Sequence, residues 1–343
     1  MNSIKATNSK TNFINFESNN YFFRKFLSNF LFWTTAVIFI SIAGLRPIGL
    51  DRDSISLATL IQSVTNVNFL DKEPAFWIIK WLNDIFFFGN VCTFFLLFAI
   101  LGVSIKFLAI KRLSKLPWLS VVAYLSLYFI LYKMTQIRVG VAVGFFLLSI
   151  LDIYSRNFLK FIMKALLAFL FHYTAIIMIP LYFLNPKKLN IIYFLLPIVG
   201  MILAYFDLSK VFLVNLINLF PNFIANKISN YLTLLEFGKY SEISIVNVYY
   251  CSLLFLIYFG FFIYIKKIKK NYDILSIKNL AISLFSFYFF SNVPVFAFRI
   301  SEFLNIVTII FLPNLILYFK QKELVLPLII LFYFVCFINQ SVC

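Results

Sequence analysis

Three apolar stretches and two polar ones carry residues whose chemistry is out of place in a hydrophobic chain. Arg138 stands beside Gln136 in "LYKMTQIRVGVAVGFF" (131–146), a run otherwise suited to hydrocarbon. His172, the only histidine, stands in "LLAFLFHYTAIIMIP", and Arg299 and Glu302 share "FAFRISEF". Arg46, Asp51, Arg52 and Asp53 follow one another in "GLRPIGLDRDS", and Glu73 opens "EPAFWIIKWLND". A guanidinium is a planar, permanently charged fork that matches phosphate oxygens, so several of them suit a diphosphate or another anionic headgroup. A neutral imidazole or a carboxylate nearby can take a proton from an attacking hydroxyl. One histidine and scattered acids do not make a metal cage. A glycine-rich phosphate loop and a Gly-x-Ser-x-Gly elbow are absent, and no cofactor is indicated.

Each of these residues also has a purely structural reading. An Arg at a helix end snorkels to the headgroups. A lone His in an apolar segment often serves packing and one hydrogen bond. Glu73 is placed to favour a helix N-terminus, with Pro74 suited to the first helical position. The combination favours a site: ionisable groups within a membrane are costly and tend to line pathways or binding centres.

The elements that position these groups follow from composition. The 343 residues are 62% hydrophobic and 13% charged, include 47 Phe, and have a mean hydropathy of +0.94. Long apolar runs recur throughout, which is the pattern of an all-α polytopic membrane protein and not of the short alternating strands of a β-barrel. Clear spans fall at 26–45, 85–110, 117–134, 138–153, 190–206, 246–265, 277–296, 302–318 and 324–339. Residues 1–25 read as a polar cytoplasmic tail and 26–343 as one integral domain. The net charge of +17 is explained by basic loops, not by nucleic acid. The four cysteines include no Cys-x-x-Cys pair and read as small packing residues.

Five basic clusters, "KRLSK", "SRNFLK", "NPKKLN", "KKIKK" and "KQKE", belong in the cytoplasm under the positive-inside rule. The longer loops 46–84 and 207–245 then lie outside. Residues 160–184 separate two cytoplasmic clusters, although a helix of that length would reach across the bilayer. The charge pattern favours a broken, re-entrant pair of half-helices with His172 at the break; a single tilted span, with a hidden pair within 207–245, is the competing arrangement. The re-entrant topology places 20 Lys/Arg and 4 Asp/Glu on the cytoplasmic side and 10 and 9 on the other. It also brings Arg46, Asp51, Arg52, Asp53, Glu73, Arg138, Arg299, Glu302 and a deep His172 to the outer face. "EPAFWIIKWLND" reads as an interfacial helix anchored by Trp77 and Trp81.

Taken in order, "GLRPIGLDRDS", "EPAFWIIKWL", "KMTQIRVGVAVGFFLLSI", "ALLAFLFHYTAIIMIPLYFL" and "FRISEFLNIVTIIFLP" resemble the Wzy/EpsG-type polysaccharide polymerases, the O-antigen polymerase family. The family's Arg-x-Gly-(Leu/Val)-Ala element matches Arg138–Ala142, and its Phe-His-(Tyr)-(Ser/Thr)-Ala element matches Phe171–Ala175. In the first element, where the family often has Gly-x-Asp and then a Tyr, Asp51 and Asp53 compete and no Tyr follows.

The resemblance implies a glycosyltransferase of the membrane-embedded GT-C type, metal-independent and inverting. Such enzymes join oligosaccharide repeat units carried on undecaprenyl diphosphate at the outer face of the bacterial inner membrane, with that diphosphate as leaving group. They work beside a Wzx-type flippase and a Wzz-type chain-length regulator. Arg138 and Arg299 would then serve the diphosphate, with Arg46 or Arg52 assisting. His172, or an outer-loop carboxylate, would be the base. Asp51, Asp53, Glu73, Gln136 and Glu302 would bind substrate. The amphipathic 207–245 segment would cover the glycan groove or act as a lid. Three rivals stand beside this reading: a flippase or transporter for the same lipid-linked sugar, a membrane acyltransferase modifying surface glycans, and a non-catalytic membrane subunit whose arginines only anchor.

Overall fold

The computed structural model describes residues 3–51, 53–62, 72–132, 136–219, 222–238, 243, 247–266 and 272–342. Helix makes up 83%, with no strand among the described residues. Three helices are long and apolar enough to cross a membrane: Phe23–Gly44 within α1 (Ser3–Gly44), α4 (Val91–Leu113) and α6 (Ile137–Ser155). The number rises to five if each of two bent pairs is one span. One is α9 (Ile192–Tyr205) with Leu208–Asn215, bent by 87°; the other is α14 (Pro294–Asn305) with Thr308–Tyr318, bent by 48°. The chain is thus a multi-pass membrane protein.

Burial separates the lipid-facing helices from the central one. The most apolar window of α6 is 78% buried, against 22% for Phe23–Gly44, so α6 is wrapped by protein while α1 lies at the periphery. Phe146 of α6 meets the Phe303 ring at 5.3 Å, and Phe145 meets Phe171 at 6.1 Å. Without a strong hydrophobic drive between helices in lipid, such shape-matched contacts hold the bundle.

One end of the bundle gathers Lys115, Arg156, Asn185 and Lys278, while residues 267–270 of the "KKIKK" cluster lie outside the described residues. The Lys115 N–H donates to Asn314 Oδ1 (2.9 Å), and the Asn314 amide donates to Asp273 Oδ1 (3.1 Å). Lys278 Nζ donates to the Asn185 carbonyl (2.6 Å), and Arg156 donates to the carbonyls of Tyr182 (2.6 Å) and Leu184 (2.8 Å). The segment starting beside Arg156 therefore goes out and comes back. α7 (Phe158–Phe171) carries it away, His172 has extended backbone (φ −159°, ψ 127°), and a tight turn over Tyr173–Ile177 with α8 (Met178–Leu181) returns it. The Tyr182 ring rests 5.2 Å from Phe158 and 5.0 Å from Phe161. His172 is at the far tip. Arg138, at the other end of α6 from Arg156, is roughly 27 Å away along the helix, close to the thickness of a hydrocarbon core.

Several boundaries differ from those expected. The second span begins at Val91 and not at 85, because α3 (Pro74–Phe87) ends first. Phe88 and Gly89 take left-handed backbone (φ 54° and 71°), and the Asn90 side chain accepts from the Cys92 N–H (2.8 Å) to start α4. The apolar run through this turn hid it from a hydropathy reading. The 46–84 and 207–245 segments also contain helices: α2 (Ser54–Gln62) and α3 in the first, α10 (Leu208–Ile217) and α11 (Asn222–Glu236) in the second. After α13 (Asp273–Phe289) the chain turns at 290–293, so Arg299 and Glu302 lie within α14 and not at a turn.

Candidate active site

Glu73 is the hub. It precedes α3 as the N-cap residue, yet its side chain makes no capping hydrogen bond. It points instead into the protein, where the residue is 2% exposed. The Phe76 N–H is taken by the Glu73 carbonyl (3.0 Å), and Pro74 suits the first helical position. Glu73 Oε1 meets His172 Nδ1 at 2.8 Å, and Oε2 is ion-paired with Arg138 Nη1. One carboxylate thus joins the start of α3, the first turn of α6 and the tip of the returning segment. The Phe76 ring lies 6.0 Å beneath the Arg138 guanidinium, and the Tyr173 hydroxyl donates to the Lys72 carbonyl (3.4 Å).

The electrostatics favour an ionised Glu73. Burial alone would raise its carboxyl; the His172 hydrogen bond and the Arg138 charge outweigh that and hold it at about 2. An ionised carboxylate can only accept, so the neutral imidazole donates its Nδ1–H to Glu73 and keeps the lone pair on Nε2. That is the state required of a general base, oriented by a carboxylate from behind.

A second arm comes from α14. Gln136 Nε2 donates to Glu302 Oε2 (3.1 Å), and the Tyr132 hydroxyl donates to the Glu302 backbone carbonyl (2.6 Å). Arg299 is exposed on this helix, one turn from Glu302, within electrostatic reach of both Glu302 and His172, and its guanidinium stands 5.1 Å from the Tyr231 ring of α11. The amphipathic α11 therefore touches the rim of the site.

The loop after α1 is built differently. Arg46 is 3% exposed, pairs with Asp51 (2.8 Å), donates to the Ala43 carbonyl (2.8 Å) and lies 4.3 Å from the Phe95 ring. Asp51 also accepts from the backbone of Asp53 (3.1 Å) and Ser54 (2.9 Å), while Asp53 is exposed. This pairing staples the loop to the top of α1. Arg52 lies outside the described residues. Among the described residues no group of three or more His, Cys, Asp or Glu is placed to hold a metal.

The structure therefore brings together Glu73, Arg138 and His172 directly, with Gln136, Glu302 and Arg299 beside them. It adds Tyr132, one of 19 tyrosines that nothing in the sequence distinguishes.

The chain belongs to the EpsG family, which matches residues 29–342. Membership in this group of Wzy/EpsG-type polymerases points to a polysaccharide polymerase-type function. Neither the curated proteins nor the solved structures include a match to the chain.

Proposed function

We propose that this protein joins oligosaccharide repeat units, carried on undecaprenyl diphosphate, into an O-antigen or related surface polysaccharide at the outer face of the bacterial inner membrane. The observation that carries this reading is the buried Glu73 carboxylate shared by Arg138 and His172. An acceptor sugar hydroxyl on the newest unit attacks the anomeric carbon of the growing chain. The new carbon–oxygen bond forms as the bond to the diphosphate breaks, and undecaprenyl diphosphate leaves with the electron pair. His172 Nε2 takes the hydroxyl proton, and Glu73 stabilises the resulting imidazolium. Arg299, with the unengaged N–H groups of Arg138, offsets charge on the leaving diphosphate, the work a divalent cation performs elsewhere. Attack from the face opposite the leaving group inverts the anomeric centre. Glu302 and Gln136 contact sugar hydroxyls, and α11 covers the glycan.

The topology that goes with this function has about nine spans and a re-entrant α7–α8 pair, in the manner of GT-C enzymes. The basic end lies in the cytoplasm and the site faces outward. A flippase delivers the substrate and a chain-length regulator sets its number of repeats. The concentration of polar groups at one end supports this over a flippase, whose substrate groups sit near the midplane of related halves. It also disfavours an acyltransferase drawing on a cytoplasmic donor.

Deleting the gene in its host and resolving the surface glycan on a gel tests the proposal. A ladder collapsing to one attached repeat, restored by the wild-type gene but not by Arg138→Ala or His172→Ala, is the expected result. Loss of even the single repeat would indicate export, and a normal ladder with altered modification would indicate acyl transfer.

A further inference from the structure

Lys106 is a charged residue inside a membrane span, and the reaction scheme above leaves it without a role. It lies seven residues before the end of α4 and is fully buried, 0% exposed. An ionisable group at such a depth is costly, so its retention asks for a partner and a purpose. Snorkelling does not explain it, because its Nζ donates to the carbonyl of Gly140, in the first turn of α6, and is not directed to the basic end of the bundle. The ammonium also lies 5.5 Å from the Tyr124 ring and 5.3 Å from the Tyr132 ring, a cation held over two aromatic faces.

Gly140 is the node of this arrangement. Its N–H donates to the Gln136 carbonyl (2.8 Å), its carbonyl accepts from Lys106, and Arg138 is two residues away. A Cβ at this position would overlap the Tyr132 carbonyl oxygen, so only glycine lets the two backbones meet. Tyr132, in turn, is stacked on Tyr128 (5.5 Å, 10°) and holds the Glu302 carbonyl through its hydroxyl. Lys106 therefore touches both arms of the site from behind: the turn that carries Gln136 and Arg138, and the tyrosine that fixes Glu302.

We propose that Lys106 is a positioning residue, whose ammonium locks the Arg138 turn and the Glu302 segment into one geometry through the Gly140 carbonyl and the Tyr132 ring. The inference rests on the polymerase reading above. Lys106 acts through the placement of Arg138, whose charge is used on the leaving diphosphate as the bond breaks, so its loss falls on turnover more than on substrate affinity.

The test uses the full-length protein in lipid nanodiscs with an undecaprenyl-diphosphate-linked repeat unit. Lys106→Met keeps the stem and removes the charge. Turnover is expected to fall by about tenfold or more, with KM within about twofold of wild type and an unchanged unfolding temperature. Combined with Arg138→Lys, the loss should be smaller than the product of the two separate losses, because both changes disturb one geometry. Wild-type turnover in Lys106→Met, a rise in KM in place of a fall in kcat, a loss that only tracks the amount of folded protein, or multiplying losses would each overturn the positioning role alone. An inactive wild-type protein would overturn the polymerase reading, and the positioning role with it. If Lys106→Met does not fold, Lys106→Gln decides: an amide keeps a donor but no charge, so turnover should still fall, and wild-type turnover would refute the role of the ammonium.

Discussion

Replacing Glu73 by Gln removes one charge from the centre of the site and almost nothing else. The carboxyl is held at about 2 against an ordinary 4.5, which at 1.36 kcal/mol per unit corresponds to a preference for the charged form of about 3 kcal/mol. Breaking a buried pair by removing one partner typically costs about 3–5 kcal/mol. The Arg138 side chain is 24% exposed and can recover some hydration, so the lower end applies, about 3 kcal/mol. Because the folded value is depressed, the contribution of Glu73 is complete above the unfolded value near 4.5 and is lost only as pH falls through about 2. The stability gap between wild type and Glu73→Gln should therefore be flat from about pH 6 to 8. Denaturant unfolding of the purified protein in detergent, repeated across that range, measures it. Coincident unfolding of the two proteins would refute the network. A gap that closes within that range would show that another group carries the stabilisation.

Other perturbations separate the parts of the account. Gly140→Ala should destabilise by about 1–3 kcal/mol despite alanine's helix preference, since the added methyl meets the Tyr132 backbone; the yield of folded protein in membranes reports it. In a cysteine-free background, a Cys at Asp84 should react with a membrane-impermeant thiol reagent in intact spheroplasts, and a Cys at Lys187 only after permeabilisation; the reverse pattern would invert the topology. EDTA should leave polymerisation unchanged, and activity restored by Mg²⁺ after chelation would contradict catalysis by arginine alone. His172→Ala should abolish elongation, while Arg46→Met should first appear as lowered stability of the outer loop, because Arg46 is spent on Asp51 and Phe95.

The polar residues that the structure brings together are more legible in the sequence than the helix boundaries around them. Arg138 and His172 stood out because a charge and a lone imidazole in apolar runs have few uses, and Glu73 because it opened an amphipathic helix. Their convergence on one carboxylate was not legible, since Glu73 and His172 are 99 positions apart and nothing local links them. Lys106 is not legible in the sequence for a physical reason: a lysine a few residues before a basic cluster reads as a snorkelling end residue, and only the direction of its Nζ shows otherwise. Hydropathy also missed the left-handed turn at Phe88 and Gly89, whose apolar neighbours on both sides make one continuous run. The helices α10 and α11 are not legible in the sequence, because an amphipathic pattern next to a span does not specify what its apolar face meets.

The central claim is that this protein itself forms glycosidic bonds between lipid-linked repeats. The most direct measurement is to incubate the purified protein in nanodiscs with a single repeat unit on undecaprenyl diphosphate and separate the products by size. The account predicts a ladder of glycans in whole repeats, with one undecaprenyl diphosphate released per bond formed and no ladder with Arg138→Ala. A substrate that is bound or moved across the bilayer but never lengthened, with no lipid diphosphate released, would contradict it.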